Sequence, residues 1–142
     1  MKPVSELLKK RERTLWHVRP DDIVFTALQL LAQHEVGALV VMDGGRLVGI
    51  VSERDYTRKV TLQGRSSRDT RVADIMTSQV LTVTPNTGTR ACMALMSEKK
   101  IRHLPVVDGA TVLGMISIRD IMDDIITDHE HTIAQLESYI TT

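Results

Sequence analysis

The residues best placed to do chemistry occur in two copies of one short pattern, GIVSERD at 49–55 and GMISIRD at 114–120. Each copy holds a Ser, an Arg two residues on and an Asp three residues on: Ser52, Arg54 and Asp55, then Ser117, Arg119 and Asp120. A Ser after an apolar strand is a helix N-cap, and the free amides of a helix N-terminus attract phosphate. Asp three residues later lies one turn along the same face, where its carboxylate can accept hydrogen bonds from two vicinal hydroxyls such as those of ribose. Arg supplies a permanent charge and a fork that matches phosphate oxygens, and the leading Gly permits close backbone approach. One such pattern alone is most simply a helix cap. Two at the same point of a repeat, each after an apolar strand and a Gly, read as a set of groups suited to a nucleotide.

The motifs belong to a repeat whose halves align without a gap at an offset of 65 residues. Val18 and Pro20 fall on Val83 and Pro85, Leu39 and Val41 on Leu104 and Val106, and Asp43-Gly44 on Asp108-Gly109. The period of the apolar residues predicts a strand at 15–18, a helix over 23–34 capped by Asp21 or Asp22 with Gly37 after its end, strands at 38–42 and 47–51 around Asp43-Gly44-Gly45, and a helix from Ser52. The second half reads the same way: strand 81–83, helix 87–99, strands 104–107 and 113–116, and a helix from Ser117. The runs VSELL at 4–8 and VADIM at 72–76 place a short helix at the head of each repeat. The expected fold class is α/β (α+β): two pseudo-twofold-related repeats of strand-helix-strand-strand-helix, with small sheets packed face to face and helices outside. Such a pair creates two related clefts at its seam. The expected limits are 1–64 for the first repeat, 65–127 for the second and 128–142 for an amphipathic helix with Ile133, Leu136, Tyr139 and Ile140 on one stripe.

Composition excludes several other functions. Eighteen basic residues balance eighteen acidic ones, which argues against a polyanion binder or a polybasic membrane patch. Four aromatics (Trp16, Phe25, Tyr56 and Tyr139) are too few for a base-stacking platform. The single Cys92 excludes an intrachain disulfide and a Cys-based zinc site. No apolar run suits a signal peptide or a membrane span, so the expected location is cytoplasmic. His129 and His131 do not share a helix face, no metal site is assigned, and no nucleophile–base pair marks an enzyme.

The tandem repeat, the run RVADIMTSQVLTVTP at 71–85, the run RHLPVVDG at 102–109 and both G-h-x-S-x-R-D exits resemble the cystathionine-β-synthase (CBS) domain pair, also called a Bateman module. The resemblance covers residues 3–127. It implies a non-catalytic regulatory module that binds an adenosyl ligand (AMP, ATP or NAD among them), acts on a partner protein and commonly forms a homodimer. It also implies two composite sites. One joins Ser52, Arg54 and Asp55 to Thr82, Thr84 and Pro85 and to Ile101, Arg102 and His103. The other joins Ser117, Arg119 and Asp120 to His17, Arg19 and Pro20 and to Val36, Gly37 and Ala38, with Arg19 standing where a small hydroxylated residue is common. The net charge of zero hides a +4 half (residues 1–71) and a −4 half (residues 72–142). Arg58 and Lys59 follow Asp55, whereas Asp123 and Asp124 follow Asp120. Phosphate is therefore expected to prefer the Asp55 site. The alternative is an interaction scaffold with vestigial clefts.

Overall fold

The computed structural model describes residues 2–9 and 15–141. The chain runs α1 (Val4–Lys9), β1 (His17–Val18), α2 (Val24–His34), β2 (Ala38–Asp43), β3 (Arg46–Ser52), α3 (Glu53–Tyr56) with a π-helical turn (Thr57–Thr61), α4 (Val72–Ile75), α5 (Thr89–Lys99), β4 (His103–Asp108), β5 (Thr111–Ser117) and α6 (Ile118–Thr141). In the first repeat β1 lies parallel to β2, which pairs antiparallel with β3. The second repeat keeps the β4–β5 hairpin, with the same register irregularity one repeat later, after Val106 instead of Val41. Its expected first strand contracts to a single parallel bridge from Val83 to Val106. The Thr84 N–H goes to Thr87 Oγ1 at 3.1 Å, in the same way as the Arg19 N–H of the first repeat goes to Asp22 Oδ2.

Both hairpins turn where Gly permits positive φ. Gly44 at φ 57° and Gly45 at φ 81° form the two-residue turn between β2 and β3, the twist-matched solution for a short hairpin. The ends of the long helices differ from expectation. Asp22 does not cap α2; its Oδ2 accepts from the Arg19 N–H at 2.8 Å. Gly37 follows the end of α2, but the left-handed closing residue is Glu35. Glu35 (φ 53°) closes α2 and Lys100 (φ 56°) closes α5, at equivalent positions of the two repeats.

The two cores exchange their entry helices. Val72 and Ile75 of α4, which precede the second repeat in sequence, are buried with Val18, Leu31, Leu39 and Val51 of the first. Val4 and Leu7 of α1 are buried with Cys92, Leu104, Ile116 and Ile121 of the second. Backbone bonds fix each helix in place: Val72 N–H to Asp22 O and Ala73 N–H to Pro20 O on one side, Val4 N–H to Thr87 O and Ser5 N–H to Pro85 O on the other. Burying each such aliphatic side chain is worth roughly 1.5–3 kcal/mol, so each repeat is completed by the other's leader. Each repeat begins in sequence with a short helix, and each such helix packs into the core of the other repeat.

The helix expected at 128–142 is not a separate element. It continues the second repeat's exit helix as one 24-residue α6, about 36 Å long at 1.5 Å per residue. No Gly or Pro interrupts residues 118–141, so nothing breaks the ladder between the two parts.

Candidate functional site

Each motif forms a capping box at the start of a helix. In the first, the Ser52 N–H donates to Asp55 Oδ2 at 2.9 Å, the Ser52 hydroxyl donates to the same oxygen at 3.0 Å, and the Asp55 N–H donates to Ser52 Oγ at 3.2 Å. In the second, the Ser117 N–H donates to Asp120 Oδ2 at 2.8 Å and the Asp120 N–H to Ser117 Oγ at 3.1 Å. Ser and Asp therefore hold each other before they meet any ligand. The other carboxylate oxygen of Asp55 lies 3.3 Å from Lys59 Nζ, which also donates to Ile75 O at 2.9 Å. Lys59 reaches both because it stands in the π-helical turn, one turn beyond Asp55.

The motif glycines serve the fold. A Cβ on Gly49 would lie 2.6 Å from Met76 Sδ and 3.1 Å from Thr77 O, and one on Gly114 would lie 3.0 Å from Leu8 Cδ2. The close neighbours are the residues at or just beyond the ends of the exchanged entry helices.

Two clefts open at the seam. The smaller, about 630 Å³, is lined by Ser52, Arg54 and Asp55 of the first repeat and by Ile101, Arg102 and His103 of the second. The larger, about 1060 Å³, is lined by Ser117, Arg119 and Asp120 with Val36, Gly37 and Ala38. Both volumes suit a small-molecule site. The cross-repeat pairing of exit motif with middle strand is thus present in both. The first-strand residues are not where the resemblance implied. Thr82 and Thr84 do not line the smaller cleft, and Pro85 lines the larger one. His17, Arg19 and Pro20 line neither. The approach to each strand faces the cleft instead: Gln79, Val80 and Leu81 in the smaller, Leu15 and Trp16 in the larger. The equivalence of Leu15-Trp16 with Val80-Leu81 under the 65-residue offset was the available signal for them.

The clefts meet at a common wall of Gly37, Ala38, Glu53, Arg102 and His103. The His103 ring lies so close to Gly37 that a Cβ there would be 3.3 Å from its Cε1 and Nε2. Two backbone bonds mirror each other across this wall, Glu53 N–H to Gly37 O at 3.1 Å and Ile118 N–H to Arg102 O at 2.9 Å. Arg54 crosses the seam as well, donating from Nη1 to Lys100 O at 3.1 Å. Charge separates the clefts. Arg54, Arg58, Lys59, Lys100 and Arg102 outnumber Glu53 and Asp55 in the smaller, whereas Lys9, Arg102 and Arg119 are balanced by Glu35, Glu53 and Asp120 in the larger. The larger has an aromatic wall instead, where Trp16 stacks on His34 with ring centroids 3.5 Å apart.

Among the described residues no three or more His, Cys, Asp or Glu side chains gather as a metal site, and no helix is long and apolar enough to cross a membrane. Cys92 is buried, and desolvation pushes its thiol pKa up, away from reactivity.

Two α/β repeats that exchange their leading helices and open paired clefts at their seam define a tandem-repeat module. The chain belongs to the CBS-domain family: the model described as CBS domain matches residues 4–61 and 72–127. Paired CBS-domain proteins are regulatory modules. The chain is 40% identical over 147 residues to the mitochondrial CBS domain-containing protein CBSX3 of Arabidopsis thaliana, covering 96% of this chain and 71% of that one. Among solved structures it resembles a putative signal-transduction protein with CBS domains from Burkholderia ambifaria, with 48% identity, a TM-score of 0.87, and coverage of 89% of this chain and 96% of that one. The CBS domain pair of protein MJ0100, solved with 5′-methylthioadenosine and S-adenosyl-L-methionine, shares the fold at a TM-score of 0.79 and 23% identity, covering 90% of this chain and 98% of that one.

Proposed function

We propose that the chain is a non-catalytic, cytoplasmic sensor of adenine nucleotides (AMP, ATP or NAD) that acts as a homodimer on a partner protein. The observation that carries this reading is the smaller cleft, where Arg54, Arg58, Lys59, Lys100 and Arg102 surround the capped N-terminus of α3. Clustered guanidinium and ammonium groups favour phosphate. Asp55 stands next to them as the acceptor for ribose hydroxyls. The larger cleft, with balanced charge and the Trp16–His34 stack, suits a less charged adenosyl ligand. The adenosyl compounds held by the MJ0100 pair support the ligand class.

Regulation follows if ligand affinity differs between two arrangements of the seam. Both clefts include Arg102 and His103, so a ligand in either bears on the same wall. A thermal-shift panel of AMP, ADP, ATP, NAD, NADH and S-adenosylmethionine tests the reading. A ligand at 100 times its dissociation constant stabilises the fold by about 2.7 kcal/mol, and the melting point is expected to rise. No shift with any of the six would remove the reading.

A second reading, an interaction scaffold with vestigial clefts, has one observation in its favour. Asp55 and Asp120 each commit an oxygen to a capping box, which a purely structural motif would also do. The same panel separates the two.

A further inference from the structure

Beyond Ile125 every side chain of α6 described as far as Ile140 is exposed. A helix standing alone over that length is marginal in water. Its apolar residues are nevertheless ordered. Met122, Ile126, His129, Ile133, Leu136 and Ile140 follow one another at intervals of four, three, four, three and four residues, the spacing of a seam between two supercoiled helices. The five apolar members are between 51% and 83% exposed. The face of α6 that packs on its own repeat, through Ile121 and Asp124, lies roughly a third of a turn away at 3.6 residues per turn.

We propose that this stripe pairs with the same stripe of a second copy of the chain, as a parallel two-stranded coiled coil. The proposal rests on the homodimer reading above and states which surface forms the dimer. Three features select the occupant and its direction. Ile126, Ile133 and Ile140 fill every first core position, and Met122 and Leu136 are unbranched at Cβ in the second; β-branched residues in the first set with Leu-like ones in the second favour two parallel strands. His129 is the lone polar member. A symmetric parallel pair sets it beside its own counterpart and so fixes the register, whereas an antiparallel pair sets it against Ile133. Acidic Asp123, Glu130 and Glu137 flank the seam on one side, and uncharged Ile125, Thr132 and Tyr139 on the other. Parallel chains place the acidic row against the uncharged one; antiparallel chains place acid on acid.

Light scattering at micromolar concentration, on the full chain, tests the proposal. The wild type is expected to weigh two protomers, and Ile133→Asp combined with Leu136→Asp is expected to weigh one, with the dimer dissociation constant raised at least about 100-fold and the Trp16 fluorescence of the body unchanged. Leu136→Cys is expected to cross-link to its counterpart under mild oxidation, Cys92 being buried. His129→Leu is expected to tighten the pair. A two-protomer mass in the double variant overturns the seam and leaves the homodimer reading standing. A wild-type mass of one protomer overturns both. A wild-type dimer whose Leu136→Cys variant does not cross-link overturns the parallel arrangement, and weaker pairing in His129→Leu removes His129 from the seam.

Discussion

Arg54 donates from Nη1 to the backbone carbonyl of Lys100 at 3.1 Å, so the exit motif of the first repeat holds the left-handed residue that closes α5 in the second. This bond spans the seam at the edge of the cation-rich cleft. A ligand that draws the guanidinium toward its phosphate must weaken or share it. Binding and seam geometry are thereby linked through one side chain.

Arg54→Ala removes both roles. The expected outcome is weaker binding of phosphorylated adenine nucleotides, by about tenfold if one charged hydrogen bond of roughly 1.5 kcal/mol is lost. Calorimetric titration at two salt concentrations checks it. Wild-type affinity should fall with added salt, because partly exposed charges are screened, and the variant should depend on salt less.

Ser52→Ala breaks the capping box at α3. Loss of an N-cap costs about 1 kcal/mol, and a lower urea midpoint without a change in slope is the expected reading. Ser117→Ala should behave alike, since its bonds to Asp120 have the same form.

Gly49→Ala should destabilise more than Gly114→Ala. The added methyl meets Met76 Sδ at 2.6 Å and the Thr77 carbonyl at 3.1 Å in the first case, but mainly the mobile tip of Leu8 in the second. Overpacking of this kind costs about 1–3 kcal/mol. Thermal melting of the two variants side by side gives the order.

Exchange of the entry helices predicts that the repeats unfold together. Leu104→Ala, in the second repeat's core, should cost about 2–5 kcal/mol and lower the urea midpoint reported by Trp16, which packs against the first. A Trp16 midpoint that stays in place while circular dichroism shifts would show independent repeats.

Much of this architecture was legible in the sequence because it rests on local signals. The 65-residue repeat, the hairpin at Gly44-Gly45 and the Ser-Asp caps are set by spacing and turn chemistry, and the structure has all of them. Partnership between repeats was less legible. Val72 and Ile75 read equally well as a core stripe for either repeat, and only the backbone bonds to Pro20 and Asp22 decide which. Leu15-Trp16 and Val80-Leu81 line the clefts where His17, Arg19, Pro20, Thr82 and Thr84 were expected. Gly37 looked like a helix terminator, but its place against the His103 ring depends on a contact across the seam. The bulk charge of zero gave no hint of the smaller cleft's cations; Lys100 and Arg102 reach it from the acidic half of the chain.

The most direct measurement is calorimetric titration of ATP into the wild type, Asp55→Ala and Asp120→Ala. Both substitutions remove equivalent caps, so any general loss of stability is common to them. The account predicts that Asp55→Ala loses most of the affinity for ATP and that Asp120→Ala retains it to within a few fold. Equal losses, or a greater loss in Asp120→Ala, would contradict the assignment of phosphate to the smaller cleft.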